Sequence, residues 1–254
     1  MNGDAVGTGE AAGLGVALLV IAVLYAAVGQ AGASGYLAVM GLSGFGPAAM
    51  KTTALALNVV VAGIGTWRFW RAGLLTWRTF YPFGVLGIPF SFLGGWVQLP
   101  RAIYEPAVGA ILLLATVQMI RHGGAASSGE NRAPIVPPIV PALAAGAAVG
   151  FVSGVTGTGG GIFLAPLILS LHWVDMRRTA AVTAAYNLLN SAAALAGAHR
   201  MLGALPDALP LWIAAVAVGG WLGATLALRR LPEAAMRRVL AVILCLAAAK
   251  LLLL

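Results

Sequence analysis

The densest set of chemically useful groups in this sequence is a stretch of backbone rather than of side chains. Ser153-Gly154-Val155-Thr156-Gly157-Thr158-Gly159-Gly160-Gly161-Ile162-Phe163-Leu164-Ala165-Pro166 has apolar sequence on both flanks and four of its five glycines between Gly157 and Gly161. A helix opening at Gly160 presents free N–H groups in its first turn, with roughly half a positive charge from the macrodipole. Gly159, Gly160 and Gly161 have no side chains to keep a ligand from that backbone, and Ser153, Thr156 and Thr158 add hydroxyls. Such a set suits a small oxyanion and needs no formal cation. The competing reading is that these glycines only permit close helix packing, as small residues do in membranes.

A weaker copy lies about 127 residues earlier. Val28-Gly29-Gln30-Ala31-Gly32-Ala33-Ser34-Gly35-Tyr36-Leu37-Ala38 aligns with Val155 to Ala165, and Gln30, Gly32, Ala33, Ser34 and Gly35 offer a similar group of donors. Asn58, Thr183, Tyr186, Asn187 and Asn190 are polar residues in the middle of apolar segments. Thr183, Asn187 and Asn190 share one helical face, because residues three and four apart are neighbours. A polar stripe of this kind reads as a pathway wall; one interhelical hydrogen bond would account for any single member. The candidate substrate-binding set is Gln30, Gly32, Ala33, Ser34, Gly35, Asn58, Thr156, Gly157, Thr158, Gly159, Gly160, Gly161 and Asn187.

Other chemistries find little support. Asp4, Glu10, Glu105, Glu130, Asp175, Asp207 and Glu233 all fall in expected loops or at segment ends. Cation transporters usually need an intramembrane carboxylate, so their placement argues against a cation substrate. Cys245 is the sole cysteine, which leaves no internal disulfide and no thiolate metal site. No zinc spacing, nucleophile elbow or catalytic carboxylate pair is visible. Ile162 occupies the last glycine position of a dinucleotide fingerprint, and no soluble βαβ unit surrounds it. The expectation is a protein that is not an enzyme and holds no metal or cofactor.

The elements that must position these groups follow from composition. Apolar residues make up 61% of the chain and charged residues 9%, with a mean hydropathy of +0.96. A soluble domain would carry roughly a quarter charged residues. The net charge of +8 therefore reflects loop charge and membrane orientation, not nucleic acid. Met1 to Glu10 lacks the basic start of a secretory signal, so the first helix is expected to stay in the mature protein.

Apolar segments run over approximately 11–29, 52–67, 80–98, 104–120, 138–156, 179–197, 209–228 and 234–254, with shorter ones at 33–46 and 160–173. The expected fold is an all-α polytopic membrane protein with about eight long transmembrane segments and two short half-helices. A Gly-, Ser- and Pro-rich linker at 121–141 separates a first repeat, 1–120, from a second, 142–254. If every segment reverses the chain, 11 of the 15 basic residues share one side. The positive-inside rule favours that arrangement. It makes each half five passes long, inverts one half relative to the other, and places both termini in the periplasm. Inverted repeats with broken helices meeting at the midplane are a recurrent transporter plan. Trp67, Trp70, Trp77, Trp173 and Trp212 read as interfacial belts, and Arg68, Arg71 and Arg200 as snorkelling segment ends.

With these residues in view the sequence resembles the sulfite exporter TauE/SafE family, also called toluene sulfonate uptake permeases. The resemblance rests on Gly157-Thr158-Gly159-Gly160-Gly161-Ile162-Phe163-Leu164-Ala165-Pro166, on the segment from Arg178-Thr179 to Asn190, and on the two-half plan over essentially the whole length. It implies a bacterial inner-membrane permease moving sulfite, an organosulfonate or a related anion. The first break departs from the pattern, with Ala33 and Ser34 where the second has glycines and Val39 opposite Pro166. The partners implied are a small anionic substrate and the lipid bilayer; a homo-oligomer stays open. A carboxylate or neutral-solute transporter and a membrane partner protein without transport are the alternatives.

Overall fold

The computed structural model describes residues 8–125, 137–171, 173–174 and 176–228. Among these, the chain forms α1 (Thr8–Ala27), α2 (Ala33–Leu42), α3 (Pro47–Arg71), α4 (Trp77–Trp96), α5 (Arg101–Ala125), α6 (Ile139–Thr156), α7 (Gly161–Ser170), α8 (Met176–Gly197), a short 3-10 helix (His199–Ala204) and α9 (Leu209–Leu228). The linker core, the segment 234–254, Cys245 and both chain ends lie outside the described residues.

The protein is an all-α membrane protein, but its span count differs from expectation. Among the described residues four helices are long and apolar enough to cross a membrane: Gly9–Ala27, Pro47–Arg71, Ile139–Thr156 and Leu209–Ala227. The expected eight or so transmembrane segments in two inverted repeats are corrected accordingly. Inversion required five passes per half, whereas the four apolar helices divide two and two, α1 and α3 before the linker and α6 and α9 after it.

The extra segments were overcounted for a physical reason. α8 buries Thr179, Thr183, Asn187, Asn190 and Ser191, and α4 buries Ser91 and contains Pro82 and Pro89. α8 turns its polar positions toward other helices, whereas in α4 glycine, proline and tryptophan dilute an apolar surface that still exposes Val85, Phe90 and Leu93. α5 spends its first two turns on Arg101, Glu105 and Pro106.

α4 and α6 are joined along a seam of small residues. Gly146, Gly150 and Gly154 recur every four residues, and a Cβ on each would strike the carbonyl oxygen of Phe83, Gly87 and Ser91 respectively. The matched order shows that the two helices run parallel at backbone contact, the approach that small-xxx-small patterns allow. α1 and α9 also run parallel, with Gly219 and Gly223 against the carbonyls of Leu19 and Val23. α3 and α8 pack antiparallel through the middle, where Gly65 meets Ala184, Gly63 meets Leu188, and Asn58 meets Ser191.

Two of the expected interfacial tryptophans belong to the core. Trp212 is fully buried and donates its indole N–H to the Ala11 carbonyl at 2.9 Å, and Trp173 packs on Phe83 with ring centroids 5.8 Å apart. Trp67, Trp70 and Trp77 are exposed, as a belt requires. Arg68 lies over the Trp221 ring at 4.7 Å, and Arg71 lies over Trp67 at 5.1 Å.

Candidate binding site at the paired glycine breaks

Each short helix is set up by glycines in the left-handed region. α1 closes at Gly29, φ +76°, where the Gln30 amide reaches back to the Tyr25 carbonyl at 2.8 Å. That six-to-one bond is the Schellman closure, which an L side chain at this position would strain. Gly32, φ +101°, then opens α2. The second break uses three such residues, Gly157, Gly159 and Gly160, with φ of +82°, +78° and +87°. Both short helices have 10 residues, about 15 Å of rise and half the hydrocarbon thickness.

A left-handed glycine cannot cap the helix it starts, because it has no side-chain acceptor. Here the cap comes from the following long helix. Asn58 of α3 accepts the Ala33 amide on its Oδ1 at 3.0 Å. Asn187 of α8 accepts the Gly161 amide on its Oδ1 at 2.7 Å. The same relation thus occurs twice, and the two asparagines converge. Asn58 Nδ2 donates to Ser191 Oγ at 2.7 Å across the α3–α8 interface. Gln30 Nε2 donates to the Gly161 carbonyl at 3.2 Å, and the Thr183 hydroxyl donates to the Gly29 carbonyl at 3.2 Å. These bonds tie each break to elements of the other half.

Gly159 sits in the middle of this cluster. A Cβ there would overlap Asn58 Nδ2 and lie 3.1 Å from both Asn187 Oδ1 and Ser191 Oγ. A Cβ on Gly161 would lie 2.6 Å from Gln30 Oε1, and one on Gly160 would lie 2.9 Å from the Tyr186 ring. The backbone therefore runs directly against polar side chains. Asn58, Asn187 and Ser191 are buried; the Asn190 amide, turned toward the Tyr186 hydroxyl, makes no hydrogen bond of good geometry with either polar atom.

Of the candidate residues, the structure brings together Gln30, Ala33, Asn58, Gly159, Gly160, Gly161 and Asn187. Thr156 and Thr158 stand at one side, their hydroxyls 3.1 Å apart, with the Thr156 carbonyl accepting from Tyr104 at 2.8 Å. Gly157 adjoins them, and a Cβ on it would meet the Lys51 backbone. The remaining three make packing contacts with neighbouring side chains. Ser34 is hydrogen-bonded to the Tyr25 hydroxyl at 2.9 Å, Gly35 lies against Ile21 and Tyr25, and Gly32 lies against the Tyr36 ring.

Three participants were missed by sequence reasoning. Ser191 stands four residues after Asn187, so it shares that helical face, and the stripe Thr183–Asn187–Asn190 could have been extended to it. Tyr104 gave no signal. Lys51 falls just before the apolar segment 52–67, yet it is 2% exposed within α3. Its Nζ donates to the carbonyls of Gly94, Gly95 and Val97 at 3.2, 2.9 and 2.8 Å. It thereby satisfies the orphan acceptors and the negative end of α4.

The cluster lies between two cavities. One, about 250 Å³, is lined by Lys51, Tyr104 and Val155; the other, about 370 Å³, is lined by Thr66, Trp70 and Ala185. Along α3, Asn58 stands about 10 Å from Lys51 and about 12 Å from Thr66 at 1.5 Å per residue. No acidic side chain takes part in the cluster among the described residues, and no group of His, Cys, Asp or Glu there could hold a metal ion.

The family described as Sulfite exporter TauE/SafE matches residues 14–251. A probable membrane transporter protein of Sinorhizobium fredii is 52% identical over 243 residues, covering 96% of this chain and 98% of its own. No solved structure matches the chain. With the match running over nearly its whole length, the chain belongs to the TauE/SafE family and is a polytopic membrane transporter, not an enzyme.

Proposed function

We propose that this transporter carries a small sulfur oxyanion or an organosulfonate across a bacterial inner membrane by alternating access, binding it at the Asn58–Asn187–Ser191 cluster. The observation that carries this reading is the capping of the Ala33 and Gly161 amides by carboxamide oxygens. An oxyanion presents the same kind of acceptor with a full charge, and charge-assisted hydrogen bonds are roughly twice as strong as neutral ones. It would displace the Oδ1 atoms from the two amides. Each asparagine, once released, can turn its Nδ2 donor toward the bound anion. Gln30, Ser191, Thr156 and Thr158 supply further donors.

Passage requires the cluster to open first toward one cavity and then toward the other. The amide dipoles of α2 and α7 stabilise a negative charge in either state without a permanent cation to hold it. A tightly held substrate could not be released, so an uncharged site suits transport. Arg68, Arg71, Arg78, Arg177 and Arg178 lie at the end where α3 finishes and α8 begins, and Lys51, Arg101 and Arg200 at the opposite end. By the positive-inside rule the arginine-rich end faces the cytoplasm and α1 starts on the periplasmic side.

The test is flux of labelled sulfite in proteoliposomes, challenged with unlabelled sulfite, toluene sulfonate, acetate and a neutral sugar. Sulfur oxyanions should compete, and acetate and the sugar should not. Competition by acetate equal to that by sulfite would replace the sulfur anion with a carboxylate. Gly160→Leu should abolish flux; unchanged flux in this variant would remove the site from the glycine break.

A further inference from the structure

The cavity beside Lys51 has a neighbour across Gln98 and Met201. A second cavity of about 550 Å³, lined by Trp96, Gln98, Gly197, Arg200 and Met201, shares Gln98 and Met201 with it. Together they reach from the exposed Arg200, on the 3-10 helix, to Lys51 and Val155 at the second glycine break. Each could admit an oxyanion with part of its hydration shell, at about 30 Å³ per water.

The lining is one-signed. Lys51, Arg101 and Arg200 all face these cavities, and no acidic side chain does among the described residues. The acids at this end are Glu10, Glu105 and Asp207. Glu105 is paired with Arg101 at 2.6 Å, which neutralises that pair. Lys51 spends its donors on three carbonyls and stands in the buried wall of the inner cavity. Arg200 has no ion pair among the described residues, and Gln98 adds a neutral donor between the two cavities. Clefts lined by one sign of charge with apolar walls focus the field and concentrate ions of opposite sign.

We propose that these joined cavities form an anion-collecting vestibule, with Arg200 as first contact and Gln98 as the passage to the break at Gly157. The proposal rests on the anion-transport reading above and adds a second binding station outside the central cluster. The ligand chemistry is a small oxyanion or sulfonate free in solution; a lipid phosphate offers the same chemistry and is separated by the test.

The experiment places a single cysteine at the shared position, Gln98→Cys in a Cys245→Ser background, in the full-length protein reconstituted into phosphatidylcholine vesicles. Labelling rates are followed by mass with a sulfonatoethyl and a trimethylammonium-ethyl methanethiosulfonate, each normalised to its rate with free cysteine. The anionic reagent should be favoured about tenfold. Adding Arg200→Gln, or 1 M salt, should remove most of that preference. In parallel, Arg200→Gln alone should raise the KM for sulfite severalfold with little change in kcat. Equal normalised rates for the two reagents would overturn the vestibule, even if wild-type protein transports sulfite. Retention of a phospholipid by purified wild-type protein but not by Arg200→Gln, read by native mass spectrometry, would assign the cavity to lipid headgroups and overturn it likewise. Reagent preference without any sulfite flux in the wild type would instead count against the transport reading and leave an anion-binding cavity standing.

Discussion

Gln30 reaches from the first glycine break to the second and donates its Nε2 proton to the Gly161 carbonyl at 3.2 Å. The bond spans 131 residues of sequence and links the segment before α2 to the first residue of α7. It crosses the proposed binding place, so any opening of the cluster between the two breaks must stretch or break it. Gln30→Leu keeps the bulk and removes the donor. The expected result is a stability loss of about 1 kcal/mol by thermal unfolding in detergent, with a larger change in transport rate than in melting temperature.

Asn187 caps α7 with a neutral oxygen, and its charge state is the variable to change. Asn187→Asp would put a carboxylate on the Gly161 amide, where the helix end favours negative charge by about 0.3–2 kcal/mol. Sulfite flux should fall by about tenfold or more while the melting temperature holds or rises. Asn187→Ala should instead lower the melting temperature, because the amide is left unpaired at a cost of about 1–3 kcal/mol. Opposite shifts in stability with a common loss of flux would separate an occupied site from a damaged fold.

Gly159 and Gly44 make a matched pair for dissecting the break. Both are left-handed, with φ of +78° and +80°, but a Cβ on Gly44 meets nothing within 4 Å whereas one on Gly159 overlaps Asn58. Gly44→Ala should cost about 1–2 kcal/mol from backbone strain alone. Gly159→Ala should cost more, by roughly the 1–3 kcal/mol of a displaced buried hydrogen bond, and should also reduce flux. Paired thermal melts of the two variants measure the difference directly.

Lys51 should be a stability residue wherever else it acts. Lys51→Met removes three hydrogen bonds to the last carbonyls of α4 and leaves those acceptors buried. A loss of about 3 kcal/mol or more is expected, since hydrogen bonds to charged groups contribute about 1.5–3 kcal/mol each and are not additive. Lys51→Arg should recover part of it. Thermal unfolding of the three proteins in one detergent is the measurement.

How far the sequence disclosed the site depends on whether a residue's role is local. The two breaks were visible because glycine density inside apolar sequence has few other meanings, and Asn58 and Asn187 because an amide in mid-span needs a partner. Ser34 and Gly35 were drawn in by alignment with the second break, yet their contacts with Tyr25 and Ile21 are tertiary and leave no local mark. Lys51 carries no local signal because its acceptors lie more than 40 residues away, at the end of α4. Trp173 and Trp212 looked interfacial for a similar reason. Proximity to a segment end says nothing of which neighbour covers the ring. The segment count failed on α8, whose polar residues face inward, and on α4, whose apolar run is diluted by glycine, proline and tryptophan.

The stacking of Gly146, Gly150 and Gly154 on the carbonyls of Phe83, Gly87 and Ser91 leaves no lateral slack. Sliding one helix by a single residue would drive a neighbouring side chain into main-chain oxygen. α4 and α6 therefore travel together as a welded plank. A conformational cycle of the proposed kind would have to hinge elsewhere, and the left-handed turns where α6 hands over to α7 adjoin the plank.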